Sequence, residues 1–264
     1  MQANYLHCQQ IGNGPDLVLL HGWGWDMSIW QTLVPHLITS YRLTLIDLPN
    51  HGKSSILANQ NHSLCQIAQA ILHKAPAKAI WIGWSLGGSI ATWIAIHYPL
   101  RVKKLVLLAS SPRFLEGPNW PGVKRRFFEK FNSELATKAI PTMKKFLILQ
   151  SFPYPHPHLM NKWLKKILFF NTKQFHIHLR QSLKVLSETD LREKMRKIQC
   201  PSILFLGEED LLTPISLVNK LENHMPRMNV VTIPKSSHLF FLSQTKLFLE
   251  ALIKFLNDDD SSAL

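Results

Sequence analysis

Six short runs of apolar residues punctuate the chain, and each stops at turn chemistry. Leu17-Val18-Leu19-Leu20 meets a Gly-rich turn, Leu43-Thr44-Leu45-Ile46 meets Asp47, and Ala79-Ile80-Trp81-Ile82 meets Gly83. Leu105-Val106-Leu107-Leu108 is closed by Ala109-Ser110-Ser111, Ile203-Leu204-Phe205-Leu206 by Gly207, and Val230-Val231-Thr232-Ile233 by Pro234. Runs of this length, apolar at every position, are read as strands buried on both faces of a parallel sheet. Helix-length segments separate most of them, so the expected class is α/β.

The alternation lapses after Pro112. From there to Ser187 the pattern predicts helix, over Phe127 to Ala139 and Thr142 to Gln150, broken by Phe152-Pro153-Tyr154-Pro155-His156-Pro157. Segment 113–187 is therefore read as a helical cap inserted late in the sheet. Segments 1–112 and 188–264 form the core, and the polar tail Asn257 to Ser262 is expected to fray.

Charge sharpens this division. The chain has 264 residues, 30 Lys or Arg and 17 Asp or Glu, for a net +13. Residues 113–187 hold 14 of the basic residues and three of the acidic ones, so the cap carries +11 of that charge. A field of this sign attracts a polyanion, or it is simply a solvated face. No nucleic-acid-binding motif accompanies it, so nucleic acid is not the expected partner.

Other classes fall away. Three scattered cysteines (Cys8, Cys65, Cys200) make neither a disulfide framework nor a zinc site, which fits a reducing cytoplasm. No signal peptide is visible, and no apolar run approaches the roughly 20 residues that span a bilayer. Gly12 and Gly14 do not extend to a dinucleotide fingerprint. His156 and His158, like His176 and His178, lie in a Pro-rich turn and a helix with no carboxylate or cysteine nearby in sequence, so no metal is expected.

Chemistry concentrates at Gly83-Trp84-Ser85-Leu86-Gly87, a G-x-S-x-G word between a strand-like run and a helix-like run, Leu86 to His97. In that setting the serine sits on a sharp strand-to-helix turn and presents Oγ above the carboxyl edge of the sheet. The Leu86 N–H then points at the same spot from a helix N-terminus, suited to an oxyanion. A serine hydroxyl needs a base, and the base needs an orienting acid. His238 follows the last strand-like run, and Asp210 follows the one before it, in Gly207-Glu208-Glu209-Asp210. Glu208 and Glu209 are rivals for the acid. His21-Gly22-Trp23-Gly24 closes the first run, where an H-G turn offers a second oxyanion N–H from Trp23. Asp47-Leu48-Pro49-Asn50-His51-Gly52-Lys53-Ser54 reads as a structural turn. Asn50 stands where glycine is usual and is a residue that tolerates left-handed backbone.

The elbow, the order Ser–acid–His and the H-G turn identify the chain as a member of the α/β-hydrolase superfamily. Within it the chain resembles the BioH family, the pimeloyl-[acyl-carrier protein] methyl ester esterases. The words that carry the resemblance are Leu19 to Gly24, Asp47-Leu48-Pro49, Lys78 to Gly88, Ala109 to Pro112, Trp120-Pro121-Gly122 and Phe146-Leu147-Ile148-Leu149-Gln150. It thins over residues 151–187. Leu211-Leu212-Thr213-Pro214 resembles the family loop after the acid, which favours Asp210.

The resemblance implies a serine carboxylesterase of biotin synthesis. It would demethylate pimeloyl-[acyl-carrier protein] methyl ester without a cofactor or metal, as a cytoplasmic monomer. Its implied substrate contacts are Trp23, Ser85, Leu86, Phe146, Leu147, Ile148, Leu149, Gln150 and His238. Acidic acyl carrier protein would dock on cap lysines, with Lys138, Lys144, Lys145, Lys162, Lys165 and Lys166 as candidates. A general carboxylesterase for small free esters shares every catalytic residue, as does a C–C bond hydrolase. A non-catalytic basic binding module would not need Ser85, Asp210 and His238 in catalytic order.

Overall fold

The computed structural model describes residues 5–54, 63–154, 158, 161–162, 165, 173–221, 223–225 and 227–258, with the backbone alone at 173–176 and 178. Seven strands form one sheet: β1 Cys8–Ile11, β2 Asp16–Leu20, β3 Arg42–Ile46, β4 Ala79–Trp84, β5 Val102–Leu108, β6 Ser202–Gly207 and β7 Asn229–Ile233. Their spatial order is β1-β3-β2-β4-β5-β6-β7. The pairings from β3 to β7 are parallel and only β1 runs antiparallel, with Cys8 opposite Ile46 and Ile11 opposite Leu43.

The six apolar runs are β2 to β7. β2, β4 and β6 are buried at nearly every residue, as expected of strands covered by helices on both sides. β1 has no apolar signature because it is an edge strand with Gln9 and Gln10 exposed. β5 starts earlier than its apolar run and includes a buried lysine. Lys104 Nζ donates to the carbonyls of Phe255, Leu256 and Asp258 at 3.1, 3.1 and 2.6 Å. These lie at the end of the helix Thr245–Asn257, where carbonyls lack intrahelical partners. The buried ammonium thus has a full set of acceptors.

Between β5 and β6 the chain leaves the sheet and returns to it at a narrow neck. Leu191 N–H donates to Pro112 O at 2.9 Å, and Arg113 Nη1 lies 3.1 Å from Asp190 Oδ2. The described part of this insertion includes the helices Arg125–Thr137, Ala139–Ser151 and Lys173–Glu188. The first begins two residues before the expected start and stops at Lys138, whose backbone (φ −137°, ψ 52°) is not helical. Pro141 is accommodated because it sits in the first turn of the second helix, where an N–H has no intrahelical acceptor. No helix among the described residues is long and apolar enough to cross a membrane.

Candidate active site

β4 ends in the elbow. Ser85 has φ 53° and ψ −116°, a conformation costly for a residue with a side chain, and the helix Leu86–His97 starts immediately after it. The strain is held from both sides. Ser85 N–H donates to Leu108 O on β5 at 2.9 Å, and Ser110 Oγ donates to Ser85 O at 2.9 Å. The flanking glycine is required sterically, since a Cβ on Gly87 would lie 2.6 Å from His21 O and closer still to Leu20 O. The elbow helix is therefore pressed directly against the end of β2, where the H-G turn begins.

That turn is braced by a buried histidine. Leu48 N–H donates to His21 Nε2 at 2.9 Å, so Nδ1 carries the proton and donates to Gly22 O at 2.8 Å. Behind His21 the turn after β3 is built around Asp47. Its carboxylate accepts from Met27 N–H and Lys53 N–H at 2.8 and 2.9 Å, and Asn50 has the left-handed φ of 68° expected of it. His51 packs edge-on to His21, with ring centroids 5.4 Å apart, and donates Nδ1–H to Pro49 O at 2.8 Å.

Burial first, and His21 second, push the pKa of His51 down from 6.5 to about 3. Between these values the unfolded chain holds a proton that the folded protein excludes. Stability therefore falls as pH drops from about 6.5 toward 3, by up to about 1.4 kcal/mol per pH unit from this one group. Replacing it (His51→Phe) is expected to flatten that slope in urea unfolding measured at successive pH values. An unchanged slope would assign the acid sensitivity to other groups.

The acid and the histidine arrive from β6 and β7. Three carboxylates follow β6, and their surroundings separate them. Glu208 Oε2 accepts from Lys235 N–H at 3.1 Å, and Glu209 Oε1 accepts from the Tyr154 hydroxyl at 2.6 Å, both at the surface. Asp210 alone is buried. Its Oδ1 accepts from Leu212 N–H and Thr213 N–H at 2.8 and 3.1 Å, and its Oδ2 accepts from His238 Nδ1–H at 2.7 Å. His238 is 1% exposed, and its Nε2 is buried with no hydrogen-bond partner among the described residues. With Nδ1 protonated, Nε2 is an acceptor. The His238 loop is fastened to the elbow by Trp84, whose indole N–H donates to His238 O at 3.1 Å.

Above the sheet edge lies a cavity of about 500 Å³. Phe127, Phe128 and Phe131 from one cap helix and Phe146 and Leu149 from the next line it, and Leu211 and Leu212 from the Asp210 loop close it. Phe131 and Phe146 also pack edge-on to Trp23, at 5.7 and 5.2 Å between ring centroids. Among the described residues the wall is mostly apolar, and Lys124 is part of its lining.

Residues 15–245 match the alpha/beta hydrolase fold family. A protein of Vibrio vulnificus (strain CMCP6) named pimeloyl-[acyl-carrier protein] methyl ester esterase is 37% identical over 250 residues, covering 95% of this chain and 97% of that protein. Another of that name, from Pectobacterium atrosepticum, is 35% identical over 255 residues, covering 97% and 99%. The chain belongs to the pimeloyl-[acyl-carrier protein] methyl ester esterase family. Among solved structures, an esterase from Exiguobacterium antarcticum superposes with a TM-score of 0.85 over 96% of both chains, at 22% identity, which speaks for the fold.

In this member of the esterase family, the run Phe146 to Gln150 does not face one way. A helix turns about 100° per residue, so five consecutive positions cannot share a face. Phe146 and Leu149 line the cavity, Leu147 is fully buried, and Ile148 is 51% exposed. Gln150 is buried and turned toward Trp25, whose indole N–H donates to Gln150 Oε1 at 2.9 Å. The Trp23 side chain is also engaged, donating to Leu179 O and Ser182 Oγ at 2.9 and 3.1 Å.

The cap lysines are scattered in the same way. Lys138, Lys144 and Lys165 are exposed. Lys145 Nζ pairs with Glu134 at 3.3 Å, and Lys162 Nζ donates to Gln31 Oε1 at 2.7 Å. Lys166, His156 and residues 259–264 of the tail lie outside the described residues, as do the side chains of His176 and His178. Sequence reasoning passed over Trp25 and Ser237, which connect the cap to the site. The one available signal was a second tryptophan in a polar loop just after the H-G turn.

Proposed function

We propose that this protein hydrolyses the methyl ester of pimeloyl-[acyl-carrier protein], giving pimeloyl-[acyl-carrier protein] and methanol, with Ser85 as nucleophile. The observation that carries the mechanism is the buried imidazole of His238. Its Nδ1–H is committed to Asp210, its Nε2 is left as an acceptor, and its main-chain oxygen is held by Trp84 of the elbow. The substrate comes from full-length similarity to esterases of that name.

The steps follow from these positions. His238 Nε2 takes the Ser85 proton as Oγ attacks the ester carbonyl. The N–H groups of Trp23 and Leu86 stabilise the tetrahedral oxyanion. His238 then gives the proton to the departing methoxide, and methanol leaves. Water, deprotonated by the same nitrogen, attacks the acyl-enzyme and releases the free acid. Asp210 keeps the imidazole in the productive tautomer and stabilises the imidazolium.

The apolar cavity suits the methylene chain, held by Phe131, Phe146 and Leu149. The thioester stands at the opposite end of the methylene chain from the methyl ester, so it is spared when the ester carbonyl is at Ser85. The cap's +11 charge favours encounter with an acidic carrier protein, and exposed Lys138, Lys144 and Lys145 are the docking candidates.

The test compares the carrier-linked methyl ester with the matching free methyl ester, by mass spectrometry of methyl loss. The carrier-linked ester is expected to react faster. Its kcat/KM should fall roughly tenfold as salt rises from about 0.05 to about 0.5 M, because screening weakens long-range attraction. The free ester should be indifferent to salt. Equal, salt-independent rates on both would leave a general carboxylesterase.

A further inference from the structure

Among the buried cap residues that touch the catalytic centre, Gln150 belongs to neither the triad nor the cavity wall. Gln150 makes two separate attachments. Its side-chain Oε1 accepts from Trp25 Nε1–H at 2.9 Å, and its main-chain oxygen accepts from Ser237 Oγ–H at 2.9 Å. Trp25 packs edge-on to Trp84, with ring centroids 5.7 Å apart, and Trp84 N–H holds His238 O at 3.1 Å. Ser237 is the residue before His238. The contacts therefore close into a ring that runs Gln150, Trp25, Trp84, His238, Ser237 and back to Gln150. Ser85 follows Trp84 in the chain, so the ring includes the base and adjoins the nucleophile.

We propose that Gln150 is a positioning residue. It ties the end of the cap helix Ala139–Ser151 to the H-G turn through Trp25 and to the His238 loop through Ser237. All its neighbours in the ring are nearly fully buried, at 5% exposure or less. In such surroundings losing the acceptor removes the bond that fixes the Trp25 indole to the cap and lets the ring shift. Cap placement is then coupled to the alignment of His238 with Ser85. A small displacement there lowers the rate of proton transfer without altering how substrate binds. This rests on the esterase reading above for the triad, and not on the identity of the acyl carrier.

The decisive probe is p-nitrophenyl acetate, a free ester that reports on the triad without a carrier protein. The apolar variant Gln150→Leu is expected to lower kcat about tenfold with KM changed less than about twofold. The acceptor-retaining variant Gln150→Glu should recover most of the rate. Removing only the donor (Trp25→Phe) should cost as much as Gln150→Leu, and the double variant should be no worse than either, since both break one link.

Trp25→Phe keeps an aromatic ring in place, so it still reports if Gln150→Leu fails to fold. A raised KM with unchanged kcat would overturn the proposal and make Gln150 a substrate contact. Strictly additive effects of the two substitutions would also overturn it. Failure of the wild-type protein to turn over the carrier-linked ester, with the expected pattern on p-nitrophenyl acetate, would count against the proposed substrate and not against this role.

Discussion

Ser85→Ala is expected to remove ester hydrolysis by a factor on the order of 10⁵ to 10⁶ while leaving the protein folded. The two halves of this expectation have separate grounds. The elbow is held by main-chain and neighbouring groups. Ser85 N–H is bonded to Leu108 O, and Ser85 O accepts from Ser110 Oγ and Ser89 N–H. None of these bonds uses the Ser85 hydroxyl, so its loss should not release the turn. Chemistry, by contrast, has no substitute nucleophile placed by the elbow. What remains is binding plus the oxyanion N–H groups, which alone give about 10³ to 10⁴ over water. The check is single-turnover methyl release, with circular dichroism and the unfolding midpoint as controls. Residual activity above about a tenth of wild type would remove Ser85 from the reaction.

Much of this site was legible because its parts lie at the ends of strongly patterned elements. The strands that became β2, β4, β6 and β7 each deliver one component at the carboxyl edge: the H-G turn, Ser85, Asp210 and His238. A buried parallel sheet forces this convergence, so reading the strands already places these residues at one edge. The left-handed Asn50 was legible for a similarly local reason, since few side chains tolerate that backbone.

What stayed hidden depends on tertiary partners. β1 reads as polar because its edge position leaves Gln9 and Gln10 exposed. Lys104 falls outside the apolar run Leu105 to Leu108, and its burial in β5 depends on the carbonyls of Phe255, Leu256 and Asp258, more than 150 residues later. The words Phe146 to Gln150 were visible as a block, but helical rotation splits them between cavity, core, solvent and Trp25. Partners 125 and 87 residues away, at Trp25 and Ser237, decide what Gln150 does, and no local pattern encodes them.

Asp210→Asn is expected to lower kcat by about 10⁴ with little change in KM. The geometry states why an almost isosteric change is so costly. Asp210 Oδ1 accepts two backbone N–H groups, from Leu212 and Thr213, and Oδ2 accepts the His238 Nδ1–H. An asparagine has one acceptor oxygen, and two buried donors on one side require it there. Its NH₂ is then turned toward His238 Nδ1, where a donor meets a donor. The imidazole escapes by moving its proton to Nε2, so that Nδ1 accepts from the amide. Nε2 then cannot take the Ser85 proton, and the base is lost although every heavy atom stays in place.

The neighbouring substitutions Glu208→Gln and Glu209→Gln should cost less than about threefold, since both carboxylates are at the surface, bonded to Lys235 N–H and to the Tyr154 hydroxyl respectively. Kinetics on a free ester with all three variants makes the comparison, and ¹⁵N chemical shifts of the His238 ring report the tautomer directly. A near-normal rate for Asp210→Asn, or a loss of equal size for Glu208→Gln or Glu209→Gln, would move the orienting acid elsewhere on this loop.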